Sequence, residues 1–348
     1  DLDARFRQLT EDYPFLKHAN VEARCLKWIN LPLLLHALFK PLDWPKADLV
    51  AGGLDIMFMP SPRLLPVSRR CTKVTTFHDL IFLVFPQYFT FSSRLWQWQM
   101  NYPREARVSD RVIAVSYHTK QDLIRLVAAS PTNIRMIHEG VGEEYFNSPT
   151  PEFVAEVRAK FKLPDQYFYY IGSLDPRKNL VTAVRALAEL RDKYSDTIKL
   201  VISNSKSWLA DDFYQLIEQL GLSDQIIFTG PVKEAEKIAL LSQAQAFIFP
   251  SIYEGFGLMI LEGYAAGCPV VTSNTSSLPE VAGDAAIVLE PYAVSEWATQ
   301  LHNLLHDREL RFKLIAKGCE RARHFTWRKA AEGTLAVFEE AVKSHHGE

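Results

Sequence analysis

The chain has 348 residues, 48% apolar and 23% charged, with 39 basic against 41 acidic side chains and a formal net charge of −2. At about 150 residues per domain this is roughly two domains, and the globular balance of residues excludes wholesale disorder, a collagen-like repeat and a disulfide mini-scaffold. The overall charge lacks the basic excess of a nucleic-acid binder, but residues 1–160 carry 20 basic and 17 acidic side chains while the remainder carries 19 and 24, so the front half is mildly cationic and suited to weak attraction to an anionic surface.

In chain order, a helical segment comes first, and its longest strongly apolar stretch, Leu31 to Phe39, is too short to cross a bilayer. No signal peptide is apparent, and because the chain begins at Asp1 without a methionine a preceding targeting segment is left open. Strands are expected at Asp55–Met59, Lys73–Phe77, Arg111–Val115 and Ile134–Ile137, with helices over 92–107 and 117–128 between them. A link follows near Asn147 to Pro164, which carries three prolines. Beyond it, β-rich apolar runs at Tyr167–Ile171, Lys199–Ser203, Ile226–Thr229, Ala246–Phe249, Val270–Thr272 and Ala286–Leu289 alternate with helical patterns at Leu180–Tyr194, Phe213–Leu220, Glu234–Ser242 and Gly257–Ala266. The strands are apolar throughout, as strands buried on both faces are, and strand–helix alternation implies a parallel sheet covered by helices on each side. The fold class expected is α/β, with two Rossmann-like doubly wound domains over 1–150 and 165–326, and a last amphipathic helix within 327–348 that packs back on the first. The four cysteines, Cys25, Cys71, Cys268 and Cys319, have no metal-ligand spacing and read as free thiols of a reducing compartment.

Three segments carry chemistry. In Phe249-Pro-Ser-Ile-Tyr-Glu-Gly-Phe-Gly-Leu-Met-Ile-Leu-Glu262 a buried strand ends, Gly255 and Gly257 let the backbone approach a ligand, and a helix begins at once, offering unpaired N–H groups to an anion. Glu254 and Glu262 are eight residues apart, and at about 100° per residue both can face one groove from different heights. A plain glycine turn with a capping carboxylate is the other reading of that loop alone. Gly172-Ser173 with Arg177-Lys178 likewise follows a strand, and an Arg fork beside a Lys point charge suits a diphosphate. Both loops fall at C-terminal strand ends of the same expected sheet, where open α/β sheets bind ligands. The third segment, Thr76-Phe-His78-Asp79-Leu80, places a histidine at a strand end in the first domain, as a catalytic group or as a structural one.

With those residues in view, Tyr169 to Pro291 resembles the C-terminal domain of family-4 retaining glycosyltransferases of the GT-B fold. The likeness rests on Ile171-Gly-Ser-Leu-Asp-Pro-Arg-Lys-Asn-Leu180, on Glu-Gly-Phe-Gly with Glu262, on Gly267-Cys-Pro-Val-Val-Thr-Ser273 and on Ser276-Ser-Leu-Pro-Glu-Val-Ala-Gly-Asp284. Phe77-His-Asp-Leu80, Ala114-Val-Ser116 with Thr119, and Gly140-Val-Gly with Phe146 extend it to about residues 55–340.

The resemblance implies a domain at 1–150 that takes the acceptor and one at 165–326 that takes a nucleotide-sugar donor. It implies Arg177 and Lys178 on the donor diphosphate, where they stabilise the leaving nucleotide, and Gly172, Ser173, Gly255, Phe256, Gly257 and Leu258 around sugar and phosphate. Glu254 would contact sugar hydroxyls, Glu262 the ribose, Val232 the base, and His78 the transferred sugar. Such enzymes retain anomeric configuration and need neither metal nor cofactor; here the one Asp-x-Asp is Asp1 with Asp3. Bacterial mannosyltransferases share the pattern, so GDP-mannose is the first expectation for the donor and a glycan or lipid-linked molecule for the acceptor, in the cytoplasm or at the inner face of its membrane.

Two departures stand at the helix, Gly263-Tyr264 where Ala-Met is commoner and Met259 where Pro is frequent. The strand, Gly-rich loop and helix with which the family opens are not recognised here, which keeps a second reading in play: a nucleotide-sugar-binding subunit that does not catalyse, with a reduced first domain. Trp28 to Phe39 and Trp96-Gln-Trp98, with Arg94, Arg104 and Arg107, mix aromatic, apolar and basic residues as a peripheral membrane surface would, or form a core helix with solvated arginines.

Overall fold

A computed structural model describes residues 46–63, 65–203 and 210–346. Trp28 to Phe39, Cys25, Asp1 with Asp3, and the side chain of Trp96 lie outside the described residues. Packing divides the chain into two compact units. One takes Asp1–Leu54 and Leu65–Cys71; of its described residues, Ala47–Val50 form one helical turn, and buried Asp48 accepts a hydrogen bond from the Ser68 N–H at 2.7 Å. The other takes Asp55–Leu64 and Thr72–Glu348 and holds two sheets.

The first sheet is built of β1 (Ile56–Met59), β2 (Thr72–Phe77), β3 (Arg111–Ala114) and β4 (Ile134–Met136), all parallel and in sequence order. The second holds β5 (Tyr167–Ile171), β6 (Lys199–Ser203), β7 (Ile226–Phe228), β8 (Ala246–Phe249), β9 (Val270–Ser273) and β10 (Ile287–Leu289), also all parallel, in the order β10-β9-β8-β5-β6-β7. These strands sit within a residue or two of the apolar runs in the sequence. The predominant apolarity of the second sheet's strands has the expected cause. Phe168, Tyr170, Leu200, Ile202, Ile248 and Val271 pack on one face, with Trp297 and the helix Leu180–Tyr194. Tyr167, Tyr169, Val201, Phe247 and Val270 pack on the other, under the helices Glu234–Gln243 and Leu258–Ala265. Successive side chains point to opposite faces, so with both faces covered the middle of each strand of the second sheet is apolar, and the polar residues Lys199, Ser203, Thr272 and Ser273 fall at the ends of β6 and β9.

The last helix, Trp327–His346, lies on the first sheet: Val337 and Ala341 pack with Val74 of β2 and Ile113 of β3, and Glu340 pairs with Arg111 at 3.1 Å and with Arg135. The single helix expected over 92–107 is instead two, Phe91–Met100 and Tyr102–Val108. Asn101 between them is left-handed (φ 46°), its side chain caps the second helix by accepting from the Arg104 N–H, and Pro103 has no N–H to extend the first. Asn tolerates that conformation better than most residues.

Among the described residues no helix is long and apolar enough to cross a membrane.

Candidate functional site

The strand order reverses at β5, which has β6 on one side and β8 on the other. That switch point opens a crevice past the carboxyl ends of the strands, and the loops leaving β5 and β8 meet there. Asp175 starts the short helix Pro176–Lys178 by accepting from the Arg177 N–H, and the Arg177 carbonyl accepts from the Ile252 N–H at 2.8 Å, which ties one loop to the other. Arg177 and Lys178 thus come to Glu254: Lys178 Nζ is 2.5 Å from Glu254 Oε1, and Arg177 Nη1 is 3.4 Å from Oε2. Arg177 also reaches Asp175 at 3.3 Å. Burial holds the Lys178 amine below its ordinary pKa, against the pull of Glu254, and burial raises the carboxyl of Asp79, against the nearby Arg177. Two cations, two paired carboxylates and a half-buried third can exchange partners with an incoming anion.

Gly172, with φ 153°, turns the chain out of β5, and the Ser173 carbonyl accepts from the Tyr170 hydroxyl. Gly257 (φ 110°) precedes the helix Leu258–Ala265, in a conformation that side-chain-bearing residues rarely adopt. Phe256 is buried, and Ser277 Oγ lies 2.7 Å from the Phe256 carbonyl and 2.9 Å from that of Glu254.

Glu254 and Glu262 do not share one helix: Glu254 lies in the loop before Leu258, so a helical angle between them has no meaning. They have different partners. Glu262 is buried and ion-paired with Lys237, whose Nζ is 3.2 Å from both carboxylate oxygens; burial raises the Glu262 pKa, while Lys237 and Tyr145 counter it. Lys237 also pairs with Glu234 at 3.0 Å, and the Tyr145 hydroxyl bonds Glu234. Lys237 was not anticipated from the sequence; the need of a buried Glu262 for a cation was the one signal for it. Val232 follows β7 through left-handed Gly230 and packs, half-buried, on the same core.

His78 follows β2. Its Nδ1 is 2.9 Å from Glu139 Oε1 and its Nε2 is 2.9 Å from the Pro60 carbonyl oxygen. Both partners can only accept, so the doubly protonated ring satisfies both, and the Glu139 hydrogen bond raises the His78 pKa above 6.5 against partial desolvation of the half-exposed ring. The backbone of His78 meets the glycine loop itself. A Cβ on Gly255 would lie 1.8 Å from the His78 carbonyl oxygen. Ser116 Oγ donates to the Gly255 carbonyl at 2.6 Å, and Thr119 Oγ1 stands 3.0 Å from that carbonyl and 3.2 Å from the His78 one. Nearby, buried Tyr253 donates to Asp122 at 2.7 Å. Glu280 accepts from the Tyr117 N–H at the start of the helix Tyr117–Val127 and bonds His138. The contacts of Gly255, Tyr253 and Glu280 join segments that follow the first sheet's strands to segments that follow the second's.

Residues 154–321 match the family model described as glycosyl transferases group 1, and residues 10–145 match glycosyltransferase family 4. The O-antigen chain mannosyltransferase B of Escherichia coli is 30% identical over 266 residues, covering 76% of this chain and 69% of that protein. The serotype-specific mannosyltransferase WbdA of Escherichia coli is 28% identical over 273 residues, 77% of this chain, which spans only 33% of that relative's length. Among solved structures, Anabaena Alr3699/HepE in complex with UDP and glucose superposes with a TM-score of 0.73 at 17% identity, covering 97% of this chain and 89% of that one. WaaG, a glycosyltransferase involved in lipopolysaccharide biosynthesis, does so at 0.67 and 18% identity, covering 100% and 96%. These structures show the fold expected from the sequence, two parallel-sheet α/β domains of the GT-B kind.

Proposed function

Because the chain belongs to the family-4, group 1 glycosyltransferases, we propose that it moves a mannosyl residue from GDP-mannose to a glycan or lipid-linked acceptor, with retention of anomeric configuration and without a catalytic metal. The choice of mannose as the sugar is supported by the likeness to the two Escherichia coli mannosyltransferases. The observation that carries the site assignment is the meeting of Arg177 and Lys178 with Glu254 at the strand-order switch.

On this reading the donor diphosphate takes over the cations that now pair with Glu254. Arg177 offers a fork and Lys178 a point charge to the oxygens that gain charge as the glycosidic bond breaks, the moment at which fixed positive groups lower the barrier most. Glu254, released from its pairs, turns its carboxylate to sugar hydroxyls. Backbone N–H groups at Gly255 to Leu258 face the sugar and phosphate with the partial positive charge of a helix start, and Gly172 and Ser173 line the opposite wall. Glu262 takes the ribose hydroxyls, held in place by Lys237, and Val232 adjoins the base. His78 orients the sugar as a cation locked by Glu139 and the Pro60 carbonyl; with both ring nitrogens protonated it is a positioning group and not a base. Departure and attack occur on one face of the sugar, which retains configuration.

We place the acceptor on the side of the first sheet, in the cytoplasm at a membrane's inner face. The helix Phe91–Met100 exposes Phe91 and Trp98 to about three-quarters, beside exposed Arg94, a mixture suited to peripheral contact with anionic lipid. Incubating the full-length protein with radiolabelled GDP-mannose and UDP-hexoses tests the reading. GDP release, with an α-linked product by NMR, supports it. Release of UDP alone overturns the donor, a β-linked product overturns retention, and tight nucleotide binding without turnover from any donor makes the chain a non-catalytic binding subunit.

A further inference from the structure

The geometry points to a divalent transition-metal site formed by Asp196, His302 and His306, away from the sugar-nucleotide crevice. His302 and His306 are four residues apart on the helix Val294–His306 and so share one face of it. Asp196 stands opposite, in the turn that leaves the helix Leu180–Tyr194 through left-handed Ser195. His302 Nδ1 is 2.8 Å from one Asp196 oxygen and His306 Nε2 is 2.9 Å from the other. The three groups present ligand atoms that all lie within 4.8 Å of one another.

Zinc bonds imidazole nitrogen and carboxylate oxygen at about 2.0–2.2 Å, which sets neighbouring donors of a tetrahedral site about 3.3 Å apart. The Asp196 contacts are already close to that spacing, and modest turns of two imidazole rings bring in the rest. Two neutral imidazoles and one carboxylate leave a formal charge of −1 facing the cation. This donor set suits Zn²⁺, Ni²⁺ or Cu²⁺ and disfavours Mg²⁺ and Ca²⁺, which prefer oxygen throughout.

The scaffold is rigid where ligands need support. Trp297, Leu301 and Leu304 are fully buried and fix the histidine-bearing helix in the core that it shares with Leu180–Tyr194. The Tyr194 ring stacks on His302 at 4.1 Å with the planes 13° apart, and the Tyr194 hydroxyl is held by Thr299 at 3.0 Å. Groups behind a ligand set its orientation and strengthen its site. His306 is more than half exposed, which leaves a coordination position for water. Asp196 precedes β6, whereas the sugar-nucleotide loops follow β5 and β8. In a parallel sheet these are opposite ends of the strands, so the ion clips the end of one helix to the approach of β6 and takes no part in transfer.

The test is a titration of the chelator-stripped full-length protein with Zn²⁺, in competition with a chromophoric chelator, together with the visible spectrum of the Co²⁺ form. We expect one site per chain tighter than about 10 µM, weakened at least about tenfold by His302→Ala and by Asp196→Ala, lost in the double variant His302→Ala with His306→Ala, and unchanged in His345→Ala, whose histidine sits on the last helix beside Asp110. Circular dichroism shows that each variant is folded, and His302→Gln, which keeps a polar side chain of similar reach, serves if an alanine variant is not. Binding weaker than that limit, or a site of undiminished affinity in the folded double variant, would mean that Asp196 and the two histidines form a hydrogen-bond cluster only and would overturn the proposal.

Discussion

Gly255→Ala is the sharpest perturbation. Its added methyl carbon would stand 1.8 Å from the His78 carbonyl oxygen, 2.7 Å from the His78 carbonyl carbon and 2.9 Å from Asp79 Cβ, whereas real Cβ contacts are essentially never under 3.0 Å. The loop or His78 must therefore move by more than an ångström. Two of the three neighbours are backbone, and the Gly255 carbonyl is held by Ser116 and Thr119, so no flexible side chain can absorb the change. Overpacking of this kind costs about 1–3 kcal/mol, and the backbone neighbours put this site at the upper end. A displacement of about 1 Å at a reacting centre costs on the order of a hundredfold in rate. Thermal unfolding and kcat/KM for GDP-mannose, measured side by side, should show both losses. The control is Gly333→Ala within the last helix, where the nearest atom is Ile137 Cγ2 at 3.4 Å. It should leave the rate alone and be neutral or stabilise by up to about 1 kcal/mol. A Gly255→Ala enzyme with wild-type Tm and kcat/KM would refute the close approach of the two loops.

Three further outcomes follow from single contacts. Lys237→Met leaves buried Glu262 without its cation and should destabilise by about 3–5 kcal/mol, with recovery on adding Glu262→Gln; an unchanged denaturation midpoint would show that the pair carries no load. Tyr253→Phe removes the buried bond to Asp122 and should cost about 1–3 kcal/mol, read by denaturant unfolding and contradicted by a change within error. Proton NMR should give His78 a pKa above 6.5 that falls in Glu139→Gln, because the Glu139 hydrogen bond is the largest contribution. A raised folded pKa means that this stabilisation is complete below pH 6.5 and fades as pH rises through the folded value; a resonance titrating at or below 6.5 would contradict the pairing.

Strands β5 to β10 were legible because both faces of the sheet are covered and each strand holds a run of apolar residues, with polar ones only at the ends of β6 and β9. The two loops were legible because glycine and charge follow each run directly, and the sequence read them as neighbours once both sat at strand ends of one sheet. The break at Asn101 was missed because apolar spacing continues across it, and a capping side chain carries less weight in a pattern than periodicity does. The partnership of Lys237 with Glu262 joins two helices that each look ordinary. The bonds from Ser116 to Gly255 and from Tyr253 to Asp122 link residues far apart in sequence, where no local pattern records the contact. His302 and His306 show their four-residue spacing at once, but Asp196 is 106 residues from His302, and only the packing of two helices brings it into reach.

The grip of two cations on a pyrophosphate is tested most directly by calorimetric titration of GDP and UDP into the full-length protein and into Arg177→Ala. Losing a charge-assisted contact of about 1.5–3 kcal/mol should weaken the preferred nucleotide roughly tenfold to a hundredfold in a variant that melts like the wild type. Equal affinity in both proteins, or a variant that no longer folds, would contradict the placement of Arg177 at the phosphates.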